Sequence, residues 1–274
     1  MEFLNKLRRL TERNNTLLCV GLDSGPDKIP AHITGRDRVF EFNKAIIDAT
    51  HELVCAYKPN SAFYEASGAA GLKQLKLTCD YLKSTYPDIS IILDAKRADI
   101  GSTNTGYVKF AFDYLGADAI TVQPYLGREA LAPFLDRKDK GIIVLCRTSN
   151  PGSGEFQDLK TDGKKLYQAI AENVRDQWNQ NGNCLLVAGA TYPRELSDLR
   201  KIMGDDFVFL VPGIGAQGGD VEATIKAGMN KSGGDLIVNS SRGIIFASEG
   251  KNFAQSAASQ AKTTRQAINN ARRE

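Results

Sequence analysis

Asp94 and Lys96 stand two residues apart, and Asp99 follows three residues later, within Leu93-Asp-Ala-Lys-Arg-Ala-Asp-Ile-Gly101. An ammonium beside a carboxylate can stabilise a developing anion and then quench it with a proton. Asp23 and Lys58 end two earlier apolar runs, so three carboxylates and two lysines are available to one site. A second signal lies in Pro212-Gly-Ile-Gly-Ala-Gln-Gly-Gly219. Gly213, Gly215, Gly218 and Gly219 leave backbone N–H groups open near the start of a helix, where anions bind, and Gln217 and Arg242 add side-chain donors. Glycines alone are equally consistent with a turn; their pairing with Arg242 favours a phosphate monoester whose far end meets the Asp/Lys cluster.

These residues must be held by the elements that precede them. Eight short apolar, β-branched runs recur: 16–21, 54–58, 89–94, 117–122, 141–146, 184–188, 207–211 and 235–238. Each reads as a buried parallel strand. Between them lie segments of helical period, such as Val39, Phe42, Ile46, Ala49 and Leu53. Eight β-α units with right-handed crossovers predict an α/β fold, a (β/α)8 barrel, as a single domain over 1–274. An open doubly wound sheet is disfavoured, since Gly21-Leu-Asp-Ser-Gly25 follows the first strand where a Gly-x-Gly-x-x-Gly would be needed. An extra helix is expected over 2–12 and a terminal one over 253–272, the latter weakly amphipathic and fraying at its end. The piece 150–154 reads as a mobile loop after strand five.

In such a barrel the site forms at the C-terminal ends of the strands. Strand periodicity turns Asp94 and Lys96 to the interior and Ala95 to the helices. If Asp99 starts the next helix, its carboxylate serves as a cap or meets a polar substrate group. A salt-bridge network that only holds the barrel is the competing explanation, but buried charges are costly against an apolar layer, which favours function.

Composition removes several classes. Of 274 residues, 35 are Lys or Arg and 32 Asp or Glu, a balance of +3 that suggests neither a nucleic-acid tail nor a membrane patch. Hydrophobic residues at 42% and charged residues at 24% exclude disorder and fibrous folds. No window is a membrane span and residues 1–10 lack a signal-peptide core, so a cytoplasmic location is expected. Five widely spaced cysteines without Cys-x-x-Cys read as small core residues, and two histidines offer little to a triad. Nothing points to a redox cofactor.

The chain resembles the orotidine 5′-phosphate decarboxylase family over nearly its whole length. The most specific match is 93–101, similar to the family's Asp-x-Lys-x-x-Asp signature; Gly21-Leu-Asp23, Tyr57-Lys-Pro59, Ser149-Asn-Pro-Gly152 and 212–219 support it, and Arg147-Thr-Ser-Asn-Pro-Gly is closer to the longer bacterial subgroup. The resemblance implies cofactor-free, metal-free loss of CO2 from orotidine 5′-phosphate. It implies that Lys96 protonates C6 and that Asp94 sits beside the departing carboxylate, with Lys58 and Asp99 completing the array. It also implies a homodimer in which Asp99 and Thr103 reach the partner's ribose. Within the same subunit Asp23 and Lys58 would bind ribose, Ser149 the pyrimidine, and Gln217, Arg242, Gly215 and Ser241 the phosphate. Ala98 and Ser241 stand where Gly is expected, and Gln123 where Asn is common. A Mg2+-dependent sugar-phosphate decarboxylase is disfavoured by Lys58, whose ammonium would repel the ion. A Schiff-base lysine is disfavoured beside carboxylates, and a silent binding module has no need of the array.

Overall fold

The computed structural model describes residues 2–214 and 219–273. Eight parallel strands close into a barrel: β1 (Leu18–Leu22), β2 (Ala56–Pro59), β3 (Ser90–Arg97), β4 (Ala119–Val122), β5 (Gly141–Arg147), β6 (Cys184–Ala188), β7 (Phe209–Pro212) and β8 (Leu236–Ser240). Each strand pairs with its neighbours in sequence, and β8 closes on β1 through Leu18↔Val238, Cys19↔Asn239 and Val20↔Ser240. The expected (β/α)8 barrel is present, every expected run contributing one strand.

Alternation along each strand sorts the apolar residues into two shells. Leu18, Val20 and Leu22 pack outward against the surrounding helices. Cys19, Ala56, Ile92, Ala119, Ile143, Leu185, Leu210 and Ile237 fill the interior. The N-terminal helix (Glu2–Arg13) closes the bottom, its Phe3, Leu4 and Leu7 joining that interior cluster. A well open only at the C-terminal ends of the strands results. All five cysteines are free and buried, as expected.

The end of the C-terminal helix (Phe253–Ala271) departs from expectation. Ile268 and Ala271 are buried, the Asn269 Nδ2 donates to the Asn15 carbonyl at 2.8 Å, and the Arg272 Nε donates to the Gly233 carbonyl at 2.6 Å. Tertiary hydrogen bonds hold an end that its own weak amphipathicity would leave frayed. No helix among the described residues is long and apolar enough to cross a membrane.

Phe3 is 1% exposed beneath the barrel. Phe3→Ala should therefore cost about 3–5 kcal/mol of unfolding free energy, measured by denaturant titration.

Candidate active site

Asp94, 8% exposed in the second half of β3, is the hub of the well. Its Oδ2 accepts from the Lys58 Nζ at 2.8 Å and more weakly from the Asn60 Nδ2 at 3.4 Å; its Oδ1 accepts from the Lys96 Nζ at 2.7 Å and the Thr121 Oγ1 at 2.9 Å. The two ammoniums differ sharply in setting: the Lys58 side chain is 4% exposed and that of Lys96 49%. Burial alone would raise the Asp94 pKa, but Lys58 and Lys96 outweigh it and hold the carboxyl well below the usual range. Burial would likewise lower Lys58, yet Asp94 and Asp23 overcome it and push its pKa up. One buried ammonium and one half-exposed ammonium thus share a carboxylate that stays ionised at neutral pH.

Lys96 reaches this position by a route that period-two alternation does not describe. The register between β3 and β4 shifts between Leu93 and Arg97, and Lys96 has φ of 48°, a left-handed backbone unusual for a lysine. Its N–H donates to the Thr121 Oγ1 at 2.9 Å, while that hydroxyl donates to Asp94. Thr121 therefore fixes both the carboxylate and the turned backbone.

Around this hub lies a cavity of about 470 Å³. Asp23, Lys58, Asn60, Asp94, Lys96, Thr121 and Asn239 make its polar side; Leu145, Val187, Leu210 and Ile214 make an apolar one. Ser149, Ser241 and Arg242 also line it. Ser241 fits because Gly21 faces it: a Cβ there would fall 1.9 Å from the Ser241 Oγ. Gly213 lines the rim with φ of 105°, a conformation open chiefly to glycine. Gly215, Gln217 and Gly218 lie outside the described residues.

Asp99 and Thr103 do not line this cavity. Nor does Asp99 cap the following helix (Gly101–Val108): Ile100 occupies the N-cap position, and the Asp99 Oδ1 accepts from the Ile100 N–H at 2.7 Å. The chain leaves β3 one residue too late for Asp99 to serve as cap. Ile100 is 61% exposed, as are Tyr125 at 88% and Leu126 at 44% before the neighbouring helix (Gly127–Leu135). The Asn104 Nδ2 donates to the Ala130 carbonyl and ties these two helices together.

Sequence reasoning missed Asn60, Thr121, Gln157 and Asn239, all of which line the cavity. Inward parity from Ile237 would have found Asn239. Its Oδ1 and the Asp23 Oδ1 are buried acceptors without a partner, a costly state that a donor-bearing ligand would relieve.

The family model described as Orotidine 5'-phosphate decarboxylase / HUMPS family matches residues 16–257. The chain is 50% identical over 275 residues to the orotidine 5′-phosphate decarboxylase of Cellvibrio japonicus, covering 99% of this chain and 100% of that one. It is 50% identical over 270 residues to that of an Azoarcus species, covering 98% and 99%. Among solved structures, the OMP decarboxylase of Leishmania donovani superposes with a TM-score of 0.86 at 38% identity, covering 100% of both chains.

Two measurements test the electrostatics of the well. Asp94→Asn leaves the buried Lys58 without its counter-ion and should cost about 3–5 kcal/mol at neutral pH. A carboxyl whose folded pKa is depressed contributes fully above its unfolded value of about 3.9 and loses that contribution as pH falls through the folded one. The stability gap between wild type and Asp94→Asn should thus stay flat from neutral pH down to about pH 4 and narrow only below it. Asn239→Leu removes a buried unsatisfied acceptor and should stabilise the empty protein by about 1 kcal/mol, a rise of roughly 2–4 °C in thermal midpoint by calorimetry.

Proposed function

The chain belongs to the orotidine 5′-phosphate decarboxylase family and is a carboxy-lyase of UMP biosynthesis, and on that premise we propose that Lys96, Asp94, Lys58 and Asp99 form the charge array that carries the reaction. The observation that supports this most is the single carboxylate held between a buried ammonium and a cavity-facing one.

Breaking the bond between C6 and the carboxylate releases neutral CO2 and leaves an electron pair in an sp2 orbital of the ring. That orbital lies in the ring plane and has no π sink, so a fixed positive charge must stabilise it. Lys96 supplies the charge and then a proton from its Nζ to C6; its exposure lets solvent restore that proton. Asp94 remains ionised because Lys58 occupies its other oxygen, and so it aims the Lys96 ammonium without accepting its proton. CO2 is apolar, and Leu145, Val187 and Leu210 offer it a compatible wall. The array provides the positive charge itself, so the proposal includes no metal or cofactor.

The rest of the nucleotide follows the axis of the well. Arg242 and Ser241, with Gly215 and Gln217, are assigned the phosphate, Asp23 and Lys58 the ribose, and Ser149 the pyrimidine. Binding energy from these remote contacts is then available to the reacting centre. Asp99 and Thr103 are assigned to the ribose in the partner subunit of a homodimer; their position outside their own cavity, beside the exposed Ile100, Tyr125 and Leu126, supports this. The proposed enzyme is cytoplasmic and has neither a nucleic-acid partner nor a membrane attachment.

The test is the fall in ultraviolet absorbance when protein dialysed exhaustively against a chelator meets orotidine 5′-phosphate. Loss of the orotate band is expected, and Lys96→Ala should reduce turnover by about 10³-fold or more while UMP still binds. An unchanged spectrum with folded dimer would overturn the metal-free mechanism. Near-wild-type turnover by Lys96→Ala would remove that residue from it.

A further inference from the structure

We propose that Arg147 is a positioning residue that assembles the base-facing wall of the cavity before substrate arrives, an inference that rests on the assignment of Ser149 to the pyrimidine. Arg147 ends β5, where the register against β6 shifts between Leu145 and Arg147. The shift takes its side chain out of the well and beneath the loop that follows, where it is 3% exposed.

The guanidinium organises that loop from within. Its NH1 donates to the Ser153 Oγ and, at 3.2 Å, to the Gln157 Oε1; its NH2 pairs with the Asp158 Oδ2 at 3.1 Å. Lys165 holds the other oxygen of Asp158 at 3.1 Å. The guanidinium carbon lies 3.8 Å from the ring centroid of Tyr192, in the loop after β6. Gln157 carries the arrangement back to the cavity: its Oε1 also accepts from the Thr148 N–H and its Nε2 donates to the Thr148 Oγ1, both at 2.9 Å. Thr191, beside Tyr192, donates its hydroxyl to the Ser149 carbonyl at 3.1 Å. Residues 150–154, expected to be a mobile loop, contain a turn (Pro151–Ser153) and the start of a short helix (Gly154–Gln157) wrapped on a buried cation.

The Arg147 Nε is buried without a partner, so the bonds of NH1 and NH2 alone fix the guanidinium, and losing either would add to an unpaired N–H cost already present. Apolar packing would cover the same surface at lower desolvation cost without dictating where Gln157 points. The charge therefore fixes the loop's geometry, and the residues so fixed, Thr148, Ser149 and Gln157, line the cavity.

If Arg147 acts on the base alone, its loss separates two ligands. Arg147→Met should weaken UMP by about tenfold, equivalent to about 1.4 kcal/mol, while ribose 5-phosphate, which lacks the base, changes by less than about twofold. Arg147→Lys, which restores charge without the planar fork, should recover only part of the loss. Gln157→Leu keeps the Arg147–Asp158 pair and should show the same selective loss, which preserves the test if Arg147→Met does not fold. Isothermal titration of both ligands reads the outcome. Equal weakening of the two, or unchanged UMP affinity in the folded variants, would overturn the inference while wild-type decarboxylation stands; wild type failing to turn over orotidine 5′-phosphate would instead remove the premise.

Discussion

The site depends on one carboxylate serving two ammoniums. Asp94 cannot lose Lys58 without stranding a buried cation, and it cannot lose Lys96 without losing the donor that faces the cavity. Desolvating such a group is expensive, and the barrel meets the cost with four donors on two oxygens. Thr121 is placed on the adjacent strand to supply one of them, and β3 departs from regular pairing so that Lys96 can supply another. Even the N-terminal helix serves this interaction: by closing the bottom of the barrel it keeps water from screening the array from below.

The strand ends also divide labour across the cavity. β1 to β4 and β8 bring polar side chains, whereas β5 to β7 bring Leu145, Val187 and Leu210. In the proposed reaction, charge would thus develop on one wall and the apolar product would leave along another beside it. The loops complete the separation on the proposed assignment, since the residues assigned to the phosphate follow β7 and β8 and the one assigned to the base follows β5. A substrate that contacts all three regions is oriented at both ends before its reacting carbon meets Lys96.

Much of this was legible in the residues. Buried parallel strands write themselves as continuous apolar runs, and charged residues directly after such runs mark the open face of a barrel, which is how Asp23, Lys58, Asp94 and Arg242 could be found. What stayed hidden has a tertiary cause in each case. The left-handed Lys96 is held by a hydroxyl on the next strand. Arg147 looked like another strand-end charge, but a register shift against β6 turned it under its loop. Asp99 missed the helix cap because the helix starts after Ile100. The C-terminal helix holds to its end through hydrogen bonds to segments distant in sequence, Asn15 and Gly233.

The backbone of Lys96 has a consequence for how the position can vary. A left-handed conformation costs a side-chain-bearing residue about 1–2 kcal/mol, and glycine or asparagine occupies it with less strain. By backbone conformation alone glycine or asparagine is favoured at 96, whereas the ion pair with Asp94 and the proposed proton transfer call for lysine there. On the proposed role of Lys96, backbone preference and chemistry thus pull in opposite directions at one position.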